Sequence, residues 1–189
     1  MANFCSIVIP SYNRYRELLA CLDNLNSQTS NDFEVIVVDD FSSEPVRIDP
    51  SLYRFKVSLH RMLKNSGAAA ARNFGASLAC GSWLLFLDDD DFFDFDKVST
   101  IQLVADRNRN INFIYHSAVI KMVNEKGHYI TSVQPSDKLE LNKLLSGNYI
   151  GGAPVYAMKK DLFVRVGGFD DSLKSIEDYE NPIKIISFK

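Results

Sequence analysis

Four consecutive aspartates, Asp88 to Asp91, follow directly on Ser82-Trp-Leu-Leu-Phe-Leu87, the most apolar run in the chain, and Asp94 and Asp96 lie just beyond. Carboxylates crowded this closely repel one another unless a cation sits among them. Alternate aspartates at a strand end can offer oxygens to a hard divalent ion, and such an ion commonly bridges diphosphate oxygens. Asp88 and Asp90 are the expected pair, and an ion between them would neutralise charge on a departing nucleoside diphosphate. A solvated acidic loop is the alternative reading. Asp39-Asp40, ahead of Phe41-Ser42-Ser43, could accept a hydrogen bond from a base or ribose, or could simply shape a turn through its own backbone. Arg72 stands among alanines, where a charge is costly unless paired. A diphosphate, an aspartate or an ordinary ion pair would each satisfy it.

The elements that position these groups are legible from periodicity. Phe4 to Ile9, closed by Pro10, and Glu34 to Val38 read as buried strands. Tyr15, Leu18, Cys21, Leu22 and Leu25 between them recur at helical spacing, with Ser27 to Asp32 ending the helix. A strand, helix, strand unit of this kind implies a parallel pair with a right-handed crossover. Phe55 to Leu59 predicts a third strand, and Ala68 to Ala79 a helix of small side chains packed close on the sheet and stopped by Gly81. Ser82 to Leu87 is the fourth strand, expected at the centre. Asp96 is a good cap for a helix over Lys97 to Arg107, and Ile111 to Val123 reads as one strand. Asn124-Glu-Lys-Gly127 signals a turn into a hairpin with Tyr129 to Val133. Gly151-Gly152-Ala-Pro154 breaks the chain before a short strand, Val155 to Met158, and a short helix, Asp161 to Val166, ended by Gly167-Gly168. Ligands of open parallel sheets sit beyond the carboxyl ends of the strands, so Pro10 to Asn13, Asp39-Asp40 and Asp88 to Asp91 are expected on one edge, facing one ligand.

A chain of 189 residues is long enough for one compact domain, and 46% hydrophobic with 24% charged residues excludes disorder and fibrous repeats. A net charge of -3 provides no broad positive field, so nucleic acid is not an expected partner. Cys5, Cys21 and Cys80 lack metal or redox spacing and are expected as reduced core residues of a cytoplasmic protein. The apolar run at Ser82 to Leu87 is far shorter than the ~20 residues of a membrane span, so any membrane association is expected to be peripheral, at the cytoplasmic face.

Five segments together, Ser6-Ile-Val-Ile-Pro-Ser-Tyr-Asn13, Val37-Val-Asp-Asp-Phe-Ser42, Asn65-Ser-Gly67 with Ala71-Arg-Asn73, Phe86-Leu-Asp-Asp-Asp-Asp91 and Gly167-Gly-Phe-Asp170, resemble in order and spacing the family 2 glycosyltransferases. That resemblance implies an α/β GT-A fold, Rossmann-like, with a mostly parallel sheet and helices on both faces. It also implies transfer from a nucleotide-diphospho-sugar, with UDP-sugars favoured, to a glycan or lipid-linked acceptor in surface-polysaccharide synthesis, with Mn²⁺ or Mg²⁺ and inversion at the anomeric carbon. Carried over position by position, Pro10, Tyr12, Asp40, Arg72, Asp88 and Asp89 correspond to donor-binding positions, and Asp88 with Asp90 to the metal-binding Asp-x-Asp, Asp90 being the principal contact. Glu177-Asp178 is similar to the family's acidic pair, whose aspartate is the general base, although on its own the pair could be a polar surface turn. Residues 1–96 would then form the nucleotide-sugar and metal part, and 97–189 the acceptor side. Family members usually continue beyond the acidic pair with an amphipathic helix, whereas here only Ile183 to Lys189 follow Pro182, which is expected to disrupt a helix. The chain is therefore expected to be shortened on its acceptor side. Two alternatives stay open: a donor-binding remnant without turnover, and a magnesium-dependent phosphotransferase of the haloacid dehalogenase type, whose Asp-x-Asp follows its first strand.

Overall fold

The computed structural model describes residues 3–124, 127–133, 140–173 and 176–187. Its main sheet is built from β1 (Cys5–Ser11), β2 (Phe33–Asp39), β3 (Lys56–Arg61), β4 (Trp83–Phe86), β5 (Phe113–Tyr115) and β8 (Tyr156–Lys159), in the order β3-β2-β1-β4-β8-β5. The first four run parallel, and β8 and β5 are antiparallel to their neighbours. Every residue of β1, β2 and β4 is buried, as strands covered on both faces must be. Helices α1 (Tyr15–Leu25) and α3 (Lys97–Arg107) cover one face through Leu18, Leu22, Leu25, Val98 and Ile101. The other face carries α2 (Ala68–Leu78), α4 (Leu141–Ser146), α5 (Lys160–Arg165) and α6 (Glu177–Ser187), packed through residues such as Ala71, Leu144, Phe163 and Ile183. The α/β architecture with helices on both faces is thus as expected.

The chain leaves β1 toward β2 and β3 through α1 on one face, then returns across the sheet to β4 through α2 on the other. Crossovers of one hand that travel in opposite directions must lie on opposite faces. The reversal falls between β1 and β4, and a crevice opens there at the strands' carboxyl ends. At the other end of these strands a buried polar plug fixes the return. Glu34 Oε1 accepts from Ser6 Oγ at 2.8 Å and from the Cys80 N–H at 2.7 Å, while the Gly81 N–H donates to Ser6 Oγ at 2.9 Å. Gly81 passes so near β1 that a Cβ on it would stand 2.4 Å from the Cys5 carbonyl carbon.

Several expectations are corrected. β1 continues through Pro10 to Ser11. Val8 bonds toward β4 and Ser11 toward β2, so Pro10, two residues beyond Val8, turns its missing N–H toward β4, which has already ended. Ile111 to Val123 is not one strand. β5 pairs with β8, then the chain breaks at His116-Ser117, and β6 (Ala118–Asn124) forms a separate hairpin with β7 (Gly127–Val133). The hairpin itself was expected, while Glu125 and Lys126 of its turn signal lie outside the described residues. Asp96 precedes α3 without a capping side-chain bond. Cys80 is exposed, unlike Cys5 and Cys21. α6 runs straight through Pro182. A proline there orphans the carbonyl of Asp178, four residues earlier, and the buried Tyr156 hydroxyl donates to that oxygen at 3.4 Å. Glu177 and Asp178 accordingly begin a helix and are not a surface turn.

A methyl group at position 81 would meet backbone rather than a movable side chain. Gly81→Ala is expected to lose about 3 kcal/mol in urea unfolding; an unchanged midpoint would contradict the close crossing of β1.

Candidate functional site

The crevice between β1 and β4 is a cleft of ≈ 340 Å³ lined by Pro10, Ser11, Tyr12, Arg14, Asp40, Ala68, Arg72, Asp88, Asp89 and Asp90. Every residue expected at the donor and metal positions is therefore brought to one place. Asp178 does not line it.

The acidic run does not prolong β4. The Leu87 N–H donates to the Val8 carbonyl at 3.0 Å, and the chain then folds into a tight turn closed by the Asp91 N–H on the Asp88 carbonyl at 3.0 Å. The turn sends successive carboxylates to different partners. Asp88 Oδ1 accepts from Arg72 at 2.5 Å. Asp89 is buried and accepts from Ser11 Oγ at 2.8 Å and Arg14 at 3.3 Å. Asp90 Oδ2 pairs with the same Arg14. Burial pushes the Asp89 carboxyl above its ordinary pKa, against the Ser11 bond and the Arg14 charge. Asp91 rises to about 6 because the loop desolvates it and Asp88, Asp90 and Asp89 repel its charge.

Two arginines thus offset part of the charge of the run, one from each side of the sheet. Arg14, between β1 and α1, was not singled out in the sequence. Its signal was a basic residue just past a strand end that had to face aspartates. Arg72 is 4% exposed and donates from its second terminal nitrogen to Glu177 Oε1 at 2.7 Å. Burial alone would lower its pKa, but Asp88 and then Glu177 raise it. The guanidinium lies over the Phe169 ring, 5.5 Å from its centre. Phe169 is held in turn by Asn73, whose amide exchanges two bonds with its backbone at 2.8 and 2.9 Å. A Cβ on Gly168 would come within 2.7 Å of that amide, at a φ of +68°, so only glycine suits the position. The Ala-Arg-Asn and Gly-Gly-Phe segments are therefore two halves of one contact.

The other wall is shaped by Asp39-Asp40. Asp39 turns away to Arg61 at 2.7 Å and to the Ser42 N–H at 2.8 Å, which makes it the residue that builds the turn. Asp40 faces the cleft, each of its oxygens accepting one backbone N–H, from Ser66 and Gly67, at 2.8 Å just before α2. Asn13 ties this wall to β1 through Ser42 and Ser43. Tyr12 stands at the mouth with 47% of its surface exposed.

A hard divalent cation fits this donor set. Asp88 and Asp90 each commit one oxygen to an arginine, and their second oxygens take no hydrogen bond among the described residues. Among the described residues no group of three or more His, Cys, Asp or Glu side chains is arranged to hold a metal ion by itself, so an ion here would complete its shell with water and phosphate oxygens, as Mg²⁺ commonly does.

Asp178 lies behind Arg72, on the first turn of α6, half-buried with a carboxyl oxygen close to Gly152, where a Cβ would stand 3.1 Å away. Burial raises its pKa above the ordinary value, Glu177 adds to this, and Arg72 opposes it. Such a carboxylate holds its proton more readily than a free one, a property suited to proton abstraction.

Residues 6–167 match the family described as Glycosyl transferase family 2. An uncharacterised glycosyltransferase of Haemophilus influenzae is 46% identical over 181 residues, 96% of this chain and 61% of that protein. In Escherichia coli the UDP-Glc:alpha-D-GlcNAc-diphosphoundecaprenol beta-1,3-glucosyltransferase WfgD is 33% identical over 149 residues, covering 77% of this chain and 56% of its own. This chain therefore spans about three fifths of the length of these curated relatives. Among solved structures, the mannosyltransferase PcManGT of Pyrobaculum calidifontis, in complex with GDP-Man and Mn²⁺, superposes with a TM-score of 0.68 at 20% identity, over 98% of this chain and 52% of its own.

The raised pKa of Asp178 makes the folded state keep its proton to higher pH than the unfolded chain does. Stability from this group is therefore greatest in acid and declines as pH rises from the unfolded to the folded pKa. Asp178→Asn is expected to gain stability over wild type across that interval and to hold the gain above it, in urea midpoints taken from about pH 3.5 to about pH 8. A difference independent of pH would contradict the desolvated charge.

Proposed function

The chain belongs to glycosyl transferase family 2 and has the GT-A fold, and on that premise we propose that it transfers a sugar from a nucleotide-diphospho-sugar to a glycan or lipid-linked acceptor, with inversion. The observation that carries this reading is the convergence of Tyr12, Asp40, Arg72 and the Asp88 to Asp90 turn on one cleft at the β1/β4 reversal. Tyr12 offers an aromatic face to the base, and Asp40, pinned by two backbone bonds, keeps lone pairs for a base or ribose donor. Pro10 fixes the backbone beneath them.

Asp88 and Asp90 would hold Mn²⁺ or Mg²⁺, which supplies charge neutralisation to the leaving diphosphate. Arg14 and Arg72 line the same cleft and keep the carboxylates in place. Asp89 is the most buried of the run and locks the turn to Ser11. Asp178 stands apart from the cation pair, and we assign it the proton of the acceptor hydroxyl. In an inverting displacement the base must work on the face of the sugar opposite the leaving group.

UDP-sugars are the favoured donors, since the Escherichia coli relative is named for UDP-Glc, and the diphosphoundecaprenol in that name favours a lipid-linked acceptor in surface-polysaccharide synthesis. Such an acceptor would place the protein at the cytoplasmic face of a membrane, held peripherally. No helix among the described residues is long and apolar enough to cross one. The haloacid dehalogenase alternative loses its basis, because the Asp-x-Asp follows the fourth strand and the chain matches another family.

Asp90→Ala is expected to weaken Mn²⁺-dependent UDP binding by about 100-fold in calorimetry with the far-ultraviolet spectrum unchanged; undiminished affinity would remove the cation assignment. Asp178→Asn is expected to bind UDP as wild type does and to transfer at least about 100-fold more slowly from UDP-sugars to a diphosphoundecaprenol-linked acceptor. Wild-type binding without transfer or donor hydrolysis would point instead to a donor-binding protein without turnover.

A further inference from the structure

Arg72 joins two distant segments, Asp88 at the cleft and Glu177 at the start of α6, the latter 105 residues from Arg72 itself. Only 5% of its side chain is exposed, and its Nε is buried without a hydrogen-bond partner among the described residues, so drawing away one carboxylate leaves a buried charge less well matched. The two ion pairs therefore share one guanidinium and compete for it. With a cation held at Asp88, the Arg72–Asp88 attraction would be weaker and Glu177 would be the stronger partner of Arg72.

Glu177 sits at a joint suited to respond. Ile176, the residue before α6, has a φ of +67°, a conformation that a β-branched side chain adopts only under constraint. Its carbonyl accepts from the Tyr179 and Glu180 N–H groups at 3.1 and 2.9 Å, which closes the first turn of α6 around the strained residue. The body of the helix is anchored separately, through Asn181 and Lys184 on the Gly168 carbonyl at 3.1 and 3.2 Å. The first turn, bearing Asp178, thus lies between a strained joint and an anchored body, with the Tyr156 hydroxyl on the Asp178 carbonyl and with Arg72 as its link to the cleft.

We propose that Glu177 is a positioning residue: through Arg72 it couples filling of the Asp88 end of the cleft to the placement of Asp178. This rests on the donor and base assignments made above. By linkage the coupling is reciprocal, so cutting it must also change the affinity of the cleft for its ligand.

The test is amide hydrogen exchange on the full chain, with and without UDP plus Mn²⁺, for wild type, Glu177→Gln and Glu177→Ala, beside calorimetry of UDP binding. Bound ligand is expected to slow exchange over 177–181 in wild type. That slowing is lost in Glu177→Ala and reduced in Glu177→Gln, while UDP still binds, about 5-fold more weakly. In turnover kcat falls in both variants by a larger factor than KM for the donor rises. Equal ligand-induced slowing in all three proteins, or altered exchange in the variants that ligand does not change, would overturn the coupling and leave Glu177 a structural residue. Glu177→Gln, which keeps the shape of the side chain, serves where Glu177→Ala folds poorly. Failure of wild type to bind UDP at all would be visible in the calorimetry and would remove the donor reading together with this inference.

Discussion

Everything at the active end of this molecule answers one electrostatic demand: four adjacent carboxylates must be kept together at the end of a buried strand. In a medium less polarisable than water that concentration of charge is unfavourable by several kcal/mol unless it is matched. The fold matches it from both sides of the sheet. Arg14 reaches Asp89 and Asp90 from the α1 side, and Arg72 reaches Asp88 from α2 on the other. Each arginine leaves carboxylate oxygens unbonded, so the run is stabilised and still able to bind. Two fixed cations and four cleft carboxylates leave net negative charge where a divalent ion and a diphosphate would meet.

The sheet topology makes this possible. Because the connection leaving β1 runs through α1 on one face and the one arriving at its neighbour β4 runs through α2 on the other, a crevice opens between their carboxyl ends. The tight crossing at Gly81 and the Ser6–Glu34 plug hold the far end of the same strands, which fixes β4 in register and therefore the aspartate turn. On α2 the small side chains bring the helix close to β1 and β2. Gly75 has no room for a Cβ, since Val8 Cγ1 would stand 2.4 Å from it. That closeness is what carries Arg72 down to the level of Asp88.

Much of this was legible in the sequence because it follows from local rules. Strands buried on both faces read as unbroken apolar runs, and the ligand edge of a parallel sheet is set by strand direction alone, so Tyr12, Asp40 and Asp88 could be placed together. What stayed hidden depends on contacts between distant segments. Asp39 and Asp40 are equivalent by type, and the physical reason for their different tasks lies in Arg61 on β3 and the N–H groups before α2. The break at His116-Ser117 is invisible in an apolar pattern that runs on into β6, because β8 chooses where pairing stops. Pro182 was a sound local signal overridden by tertiary structure, the Tyr156 hydroxyl taking the place of the missing N–H. Arg14, and the link from Glu177 to Arg72, became visible only when their partners were.

The central claim is that the Asp88–Asp90 turn binds a divalent ion that in turn binds diphosphate. Its most direct test is electron paramagnetic resonance of Mn²⁺ titrated with the wild-type protein, with and without saturating UDP. The expected result is loss of the free-ion signal when UDP and protein are both present, and a much smaller loss with protein or UDP alone. A free-ion signal that the protein leaves unchanged at saturating UDP would contradict the claim.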